Sequence, residues 1–374
     1  MNLTRRDLLT ASALLLAGPR AAFADATANS IAVARRPHSA KPIVMCWNEN
    51  PYGPSPAARA VLSNTIPESC RYPNEEIELL VDALAKLEAV ATDRIVTGSG
   101  SGELLCALGQ LVAREAGEII AAEPTYTELT EYAQHAGATV RFVPVDARLR
   151  HDLAAMRAAV TDRTRAVYLC NPNNPTGTAI SATAIRAFVD SLPDQVTTIV
   201  DEAYMDFADG EDVRSVVDLV AQDKRVVVLR TFSKIHGMAG VRCGYAIARP
   251  DMAANLTTTR MATPNIFAMR AARASLTDHA FLRDTRHRIV GSRTKITTEL
   301  TRLGLAYAEP HGNFVFFDTG MPLTRFTEFM RARNIRVGRR FAPYENWCRI
   351  TIGTEPEVDA FLASLRTIAR AAHA

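Results

Sequence analysis

The sequence has no C-x-x-C pair and no cysteine with a histidine at metal-ligand spacing. Its six cysteines, Cys46, Cys70, Cys106, Cys170, Cys243 and Cys348, stand singly. A local zinc site and a dithiol redox motif are therefore excluded, and the cysteines are too few for a disulfide scaffold. Most read as small core residues; export would permit a bridge, but the sequence fixes no pairing. The chain also lacks a surplus of one charge. Its 43 Lys and Arg against 40 Asp and Glu leave a formal +3, too little to hold a polyanion by charge alone. A nucleic-acid partner is disfavoured. There is no repeat, no low-complexity tract and no apolar run of bilayer-spanning length. What is present is ordinary: 374 residues, 48% hydrophobic and 22% charged, with 19 Gly and 19 Pro. Such a composition suits a soluble globular protein of two or three domains, or of one large domain with a smaller companion.

Residues 1–26 read apart from the rest. A polar start, Thr4-Arg5-Arg6-Asp7-Leu8-Leu9, precedes the apolar run Ala11 to Ala17, then Gly18-Pro19 and the small-residue stretch Ala21-Ala22-Phe23-Ala24-Asp25-Ala26. These are the n-region, h-region and A-x-A-like cleavage site of an export signal, cut after Ala24 or Ala26. The arginine pair resembles the twin-arginine signal of bacteria, which carries folded proteins, so a periplasmic or secreted location is expected. The competing reading is an uncleaved amphipathic helix. Removing three arginines and two aspartates leaves the mature chain near +2. Residues 27–41 read as a lead-in.

From Thr92 onward short β-branched runs alternate with helical patterns. The runs are Ile119 to Ala122, Thr139 to Val143, Ala166 to Cys170, Thr197 to Val200 and Arg225 to Leu229. Between them lie helical stretches such as Glu103 to Arg114, Thr127 to Ala136 and Ala182 to Ser191. This order predicts an α/β fold with a mainly parallel sheet flanked by helices, in which ligands gather at the carboxyl ends of the strands. After Ala272 the pattern changes to a long Arg-rich helix (Leu282 to Leu303), two strand-like pieces (Asn313 to Asp318 and Cys348 to Ile352) and a terminal helix (Glu357 to Ala372). The expected organisation is a large domain over 71–272 and a small α+β domain over 273–374, which residues 42–70 join from the N-terminal side.

Four strand ends carry groups with compatible chemistry. Thr97-Gly98-Ser99-Gly100-Ser101-Gly102-Glu103 is a glycine-rich turn opening a helix, whose free N–H groups suit a phosphate; it also suits a mere tight connection. Asn171-Pro172-Asn173-Asn174-Pro175-Thr176-Gly177 places amides at the sheet edge, and its residues are also turn formers. Asp201, in Asp201-Glu202-Ala203-Tyr204, ends a buried strand. A carboxylate there is costly unless a cation meets it, whether a ligand or an ordinary ion-pair partner. Thr231-Phe232-Ser233-Lys234 offers a lysine that desolvation can turn into a nucleophile toward aldehydes, and Arg242 follows it. A phosphate cradle, a buried anion, a buried amine and a neighbouring phenol are together the fittings for pyridoxal 5′-phosphate.

At these residues the chain resembles the fold-type I aminotransferases of class I and II, and most of all the histidinol-phosphate aminotransferase group. Asn48-Glu49-Asn50-Pro51-Tyr52-Gly53-Pro54-Ser55-Pro56, Arg71-Tyr72-Pro73, Asn173 to Gly177, Asp201 to Tyr204, Ser233-Lys234 and Arg349-Ile350-Thr351-Ile352-Gly353 follow in the order of that family. The resemblance runs from about Asn48 to the end. It implies that Lys234 attaches the coenzyme and then moves the proton between Cα and C4′. It implies that Asp201 pairs with the pyridine nitrogen, that Tyr204 and Asn174 bond the ring oxygen, and that Tyr126 stacks on the ring. Ser101, Gly102, Ser233 and Arg242 would hold the phosphate, with Tyr72 reaching in from a second subunit of a homodimer. Arg349 would grip the substrate carboxylate. Asn50 and Tyr52 join the implied substrate-binding set, and Arg339 would take a substrate phosphate, unless Arg339 and Arg340 are simply an exposed basic pair. Gly102 stands where many relatives carry an acidic residue, and His236 reads as a packing residue.

The implied reaction is transamination between an L-amino acid, or an amino-alcohol phosphate such as histidinol phosphate, and a 2-oxo acid, in two half-reactions. No metal is implied. A decarboxylase of the threonine-phosphate type or an amino-acid oxidase on the same scaffold is the alternative, because the sequence does not say which bond at Cα breaks. A non-catalytic binding protein is a third class, against which Lys234 and Asp201 argue together.

Overall fold

The computed structural model describes residues 41–372. The export signal and residues 27–40 of the lead-in lie outside the described residues. Among the described residues eleven strands occur in chain order: β1 (Ile43–Met45), β2 (Ile95–Gly98), β3 (Glu118–Glu123), β4 (Thr139–Pro144), β5 (Thr164–Cys170) and β6 (Thr197–Asp201). They continue with β7 (Val226–Thr231), β8 (Gly244–Ile247), β9 (Phe314–Asp318), β10 (Ile335–Val337) and β11 (Trp347–Thr351).

Seven strands form the central sheet in the order β2-β8-β7-β6-β5-β3-β4. Strand β8 alone runs antiparallel to its neighbours. The sheet's strands are apolar on both faces because helices cover both, as crossover connections require. One face packs on Leu80, Leu84, Ile185, Phe188 and Met269. The other packs on Leu104, Leu108, Leu129 and Leu256. The helices that supply these residues include Asn74–Glu88, Ser101–Arg114, Ala182–Ser191 and Ile266–Thr277.

A second core gathers Phe317, Phe326, Phe361, Ile296 and Met45. Here the antiparallel pair β9 and β11 packs beneath the long helix His279–Arg302 and the terminal helix Glu355–Ala372. The segment 42–70 divides between the two layers. Its strand β1 pairs with β10, whereas its helix Pro56–Thr65 sends Ala58 into the core of the large sheet. Arg293 on the long helix is buried and ties the layers together. It donates to the Phe207 and Gly312 carbonyls at 3.0 Å each and to Asp209 at 2.7 Å.

Candidate active site

Because β2, β5, β6 and β7 run in the same direction, their carboxyl ends open on one edge of the sheet, and the chemistry-bearing segments leave from there. They enclose a cavity of about 340 Å³. The sheet contributes Ser101, Gly102, Tyr126, Asn174, Asp201, Tyr204, Ser233, Lys234 and Arg242 to its lining. Asn48, Arg339 and Arg349 close it from the other layer.

Asp201 and Glu202 are consecutive buried carboxylates that alternate across the end of β6, and they meet different fates. Glu202 forms an ion pair with Arg230 at 2.9 Å. Asp201 turns into the cavity and, among the described residues, has no ion-pair partner. Its oxygens accept only from the Tyr168 hydroxyl and the Ala203 amide, both at 3.1 Å. Burial pushes its carboxyl up to about 6, against the pull of those two donors and of Lys234. The ordinary ion pair at this strand end therefore belongs to Glu202, and Asp201 is the acid that awaits a cation.

Lys234 is its counterpart. Burial first, and then the Arg349 cation, bring its ammonium down to about 8. Its Nζ donates to the Asn48 carbonyl at 3.2 Å and stands 5.3 Å from the centre of the Tyr204 ring. The Tyr204 hydroxyl accepts from the side-chain amides of Asn48 at 3.1 Å and Asn174 at 3.4 Å, which leaves its own proton free to donate. Arg349, on β11, donates from Nη1 to Asn174 Oδ1 at 2.5 Å and from Nη2 to the Cys46 carbonyl at 2.8 Å. Its buried Nε has no hydrogen-bond partner among the described residues.

The opposite end of the cavity is built for an anion. The helix Ser101–Arg114 starts at Gly100 with no side-chain cap, so its first N–H groups are unclaimed. Arg242 reaches this end, and its Nη1 lies 3.4 Å from the Ser233 hydroxyl and 3.0 Å from the Ala239 carbonyl. Gly100 makes that approach feasible. Its φ is +90°, and a Cβ there would lie 2.3 Å from Arg242 Nη2. Gly100→Ala is expected to cost about 1–2 kcal/mol through the left-handed backbone alone. It also displaces the guanidinium, so coenzyme affinity should fall by about tenfold or more, read by titrating the dialysed protein with coenzyme.

The sequence assigns no role to several contributors. Asn48 touches Lys234, Tyr204 and Thr351 at once. Tyr168, which reads as a plain strand residue, holds Asp201. Glu128 lies in the cavity wall and accepts from the Tyr126 hydroxyl at 2.6 Å. Gly102 leaves the room for it, since a Cβ on Gly102 would meet the Glu128 carboxylate at 2.4 Å.

Three expected site residues do not line the cavity of this chain. Tyr72 is 87% exposed, in the turn before the helix Asn74–Glu88. Asn50 is buried, but it donates to the Ile235 carbonyl at 2.8 Å and so braces the residue next to Lys234 instead of facing substrate. Tyr52 points away, with the Arg288 guanidinium 5.3 Å from its ring centre. The basic pair divides: Arg340 bonds Glu345 at 2.8 Å, while Arg339 faces the cavity with its guanidinium over the Phe341 ring. His236 is held by Ser275 at 2.7 Å and packs at a tilt against the Phe232 ring outside the cavity. All six cysteines are free. Among the described residues no His, Cys, Asp and Glu group could hold a metal ion, and no helix is long and apolar enough to cross a membrane.

The sequence profile of aminotransferase class I and II matches residues 40–365. The chain belongs to that family. A histidinol-phosphate aminotransferase of Moorella thermoacetica is 36% identical to this aminotransferase over 330 residues, covering 87% of this chain and 85% of the relative. An aromatic amino acid aminotransferase of Rhodococcus jostii is 38% identical over 327 residues, covering 86% and 88%. The crystal structure of histidinol-phosphate aminotransferase from Sinorhizobium meliloti, in complex with pyridoxal-5′-phosphate, superposes with a TM-score of 0.81 at 27% identity, over 94% of this chain and 100% of that one.

The site fits the family's coenzyme. A buried carboxylate without a cation, a buried amine without a carboxylate and an uncapped helix end with an arginine beside it line one cavity. These are the three anchors that a pyridine nitrogen, an aldehyde and a phosphate require.

Proposed function

We propose that this aminotransferase uses pyridoxal 5′-phosphate to move an amino group between an L-amino acid and a 2-oxo acid in two half-reactions at one site. The carrying observation is that Lys234, Asp201 and Arg349 line a single cavity, with the amine and the acid each without an ion-pair contact among the described residues. The bound coenzyme supplies an aldehyde that condenses with primary amines and a ring that withdraws electrons from the substrate Cα.

The chain's own residues do the rest. Lys234 would accept the substrate Cα proton and deliver it to the coenzyme, a task suited to an amine brought near neutrality. Asp201 would hold the proton at the pyridine nitrogen. Tyr204 and Asn174 would donate to the ring oxygen, and Tyr126 would pack against the ring. The Ser101 and Gly102 amides, Ser233 and Arg242 would hold the phosphate. Arg349, which lines the cavity, would present its guanidinium to the substrate carboxylate.

Arg349→Lys is accordingly expected to raise KM for amino acids by about tenfold or more while kcat changes less, because an ammonium cannot reproduce a two-point contact. An unchanged KM would remove Arg349 from the carboxylate site. The direct test of the function is a donor screen that follows bleaching of the coenzyme absorbance and its recovery on adding a 2-oxo acid. Release of CO2 or uptake of O2 without an acceptor would instead favour decarboxylation or oxidation.

Two finer parts belong to the same proposal. The enzyme is a homodimer in which Tyr72, exposed in its own chain, completes the partner's phosphate site. It is exported folded by the twin-arginine route, for which Arg5-Arg6 and the short apolar run that follows are the support.

A further inference from the structure

A second cavity, of about 660 Å³, adjoins the first, and Trp47, Arg339 and Arg349 line both. Its charge is lopsided. Five arginines line it against two glutamates, Glu328 and Glu345. Glu345 is engaged by Arg340, whereas Arg331 and Arg336 have no ion-pair partner among the described residues. Strand pleat explains how Arg336 comes there: Ile335 and Val337 on β10 are buried in the core and Arg336 is exposed on the opposite face. Arg331 ends the helix Leu323–Arg331, where the dipole favours a cation.

The link to the substrate site runs through one residue. Arg349 Nη2 donates to the Cys46 carbonyl, Cys46 lines the second cavity, and Val44, two residues earlier on β1, pairs with Arg336. Two strand residues span about 7 Å. A molecule whose carboxylate rests on Arg349 can therefore run past Trp47 and Arg339 and meet unpaired cations farther on. We propose that the substrate site extends into this cavity and that Arg331 and Arg336 receive a distal anion, carboxylate or phosphate, on a substrate longer than a five-carbon diacid. This rests on the reading of Arg349 as the carboxylate site, and it assigns the enzyme a class of substrate: amino acids or 2-oxo acids with an extended, anion-tipped tail.

The test is calorimetric titration of the coenzyme-loaded enzyme with succinate, suberate, octanoate and an ω-phosphonocarboxylate of suberate's length. Suberate is expected to bind at least about tenfold more tightly than either succinate or octanoate, and the phosphonate arm tells whether carboxylate or phosphate is preferred. In Arg331→Gln/Arg336→Gln the advantage of suberate over octanoate should be lost, and Arg331→Lys/Arg336→Lys should keep most of it. Equal affinities for suberate and octanoate in the wild type, equal weakening of both in the glutamine variant, or no binding of any acid would each overturn the proposal. The transaminase reading fails separately, by the absence of coenzyme bleaching with every amino donor, a result on which the titrations do not depend.

Discussion

Lys234→Ala enzyme loaded with coenzyme is expected to turn over at least about 10⁴-fold more slowly than the wild type. Loss of a positioned acid–base group alone costs roughly 10²–10⁴ in rate, and this lysine also makes the covalent attachment. Lys234→Arg should be no better, because a guanidinium stays protonated and cannot take the Cα proton. A small primary amine added to Lys234→Ala should restore part of the rate, since truncation leaves room beside Tyr204 for a base of the right kind. The same chemistry predicts how the wild-type protein takes up coenzyme. Burial brings Lys234 from 10.5 down to about 8, so its neutral, nucleophilic form becomes the major one as pH rises through that value. The rate of coenzyme capture by the coenzyme-free protein should climb through pH 8 with the slope of a single deprotonation, measured by the growth of the absorbance band. Turnover of Lys234→Ala within tenfold of wild type would remove the lysine from the chemistry.

The large sheet was legible because its strands are short, β-branched and bounded by turn residues. The helix Ala182–Ser191 has the bounds of its helical pattern in the sequence, and in the structure Ser181 caps its start and accepts from the Ala184 amide. The strand-like runs of the sequence do not include β1, β2, β8 or β10. They have only three or four residues each, and β1 and β10 are strands only because they pair with each other across most of the chain. Their stability is a tertiary property with no local periodicity to announce it.

The site shows the same division. Lys234, Asp201, Arg242 and Asn174 could be found because each follows a recognisable strand, and the parallel sheet brings strand ends together. Arg349 and Arg339 come from the other layer, and only the family resemblance pointed to them. Asn48 could not be ranked above its neighbours in the Asn48 to Pro56 motif, since its role depends on contacts with Lys234, Tyr204 and Thr351, which lie far along the chain. Glu128 is subtler still. A carboxylate in the first turn of a helix is ordinary, and only the missing Cβ of Gly102 reveals that its place in the wall was kept open. Asn50 misled for a related reason: a buried amide beside the site braces the backbone at Ile235, and sequence does not distinguish a brace from a ligand.

Asp201→Asn is expected to separate stability from activity. In the coenzyme-free wild type the Asp201 carboxyl is raised from 3.8 to about 6 by burial, so the folded protein holds a proton that the unfolded chain releases at lower pH. Stability from this group is complete below about pH 4, falls as pH rises through 6, and levels off above it. A shift of about two units corresponds to about 3 kcal/mol. The asparagine variant keeps the shape and pays no charge-burial cost. Coenzyme-free Asp201→Asn should therefore be about as stable as wild type at pH 4 and more stable by about 3 kcal/mol at pH 8, in denaturant unfolding at the two values. Adding coenzyme should reverse the order of benefit. The wild-type carboxylate then meets the cationic ring nitrogen and gains stability, whereas a neutral amide gains less. Turnover should fall by about 10³-fold or more, because an amide cannot hold the nitrogen protonated and the ring loses its pull on the Cα electrons. A stability difference that is the same at both pH values would mean that Asp201 is not a buried, unpaired acid. Near-normal turnover would mean that the ring does not need it.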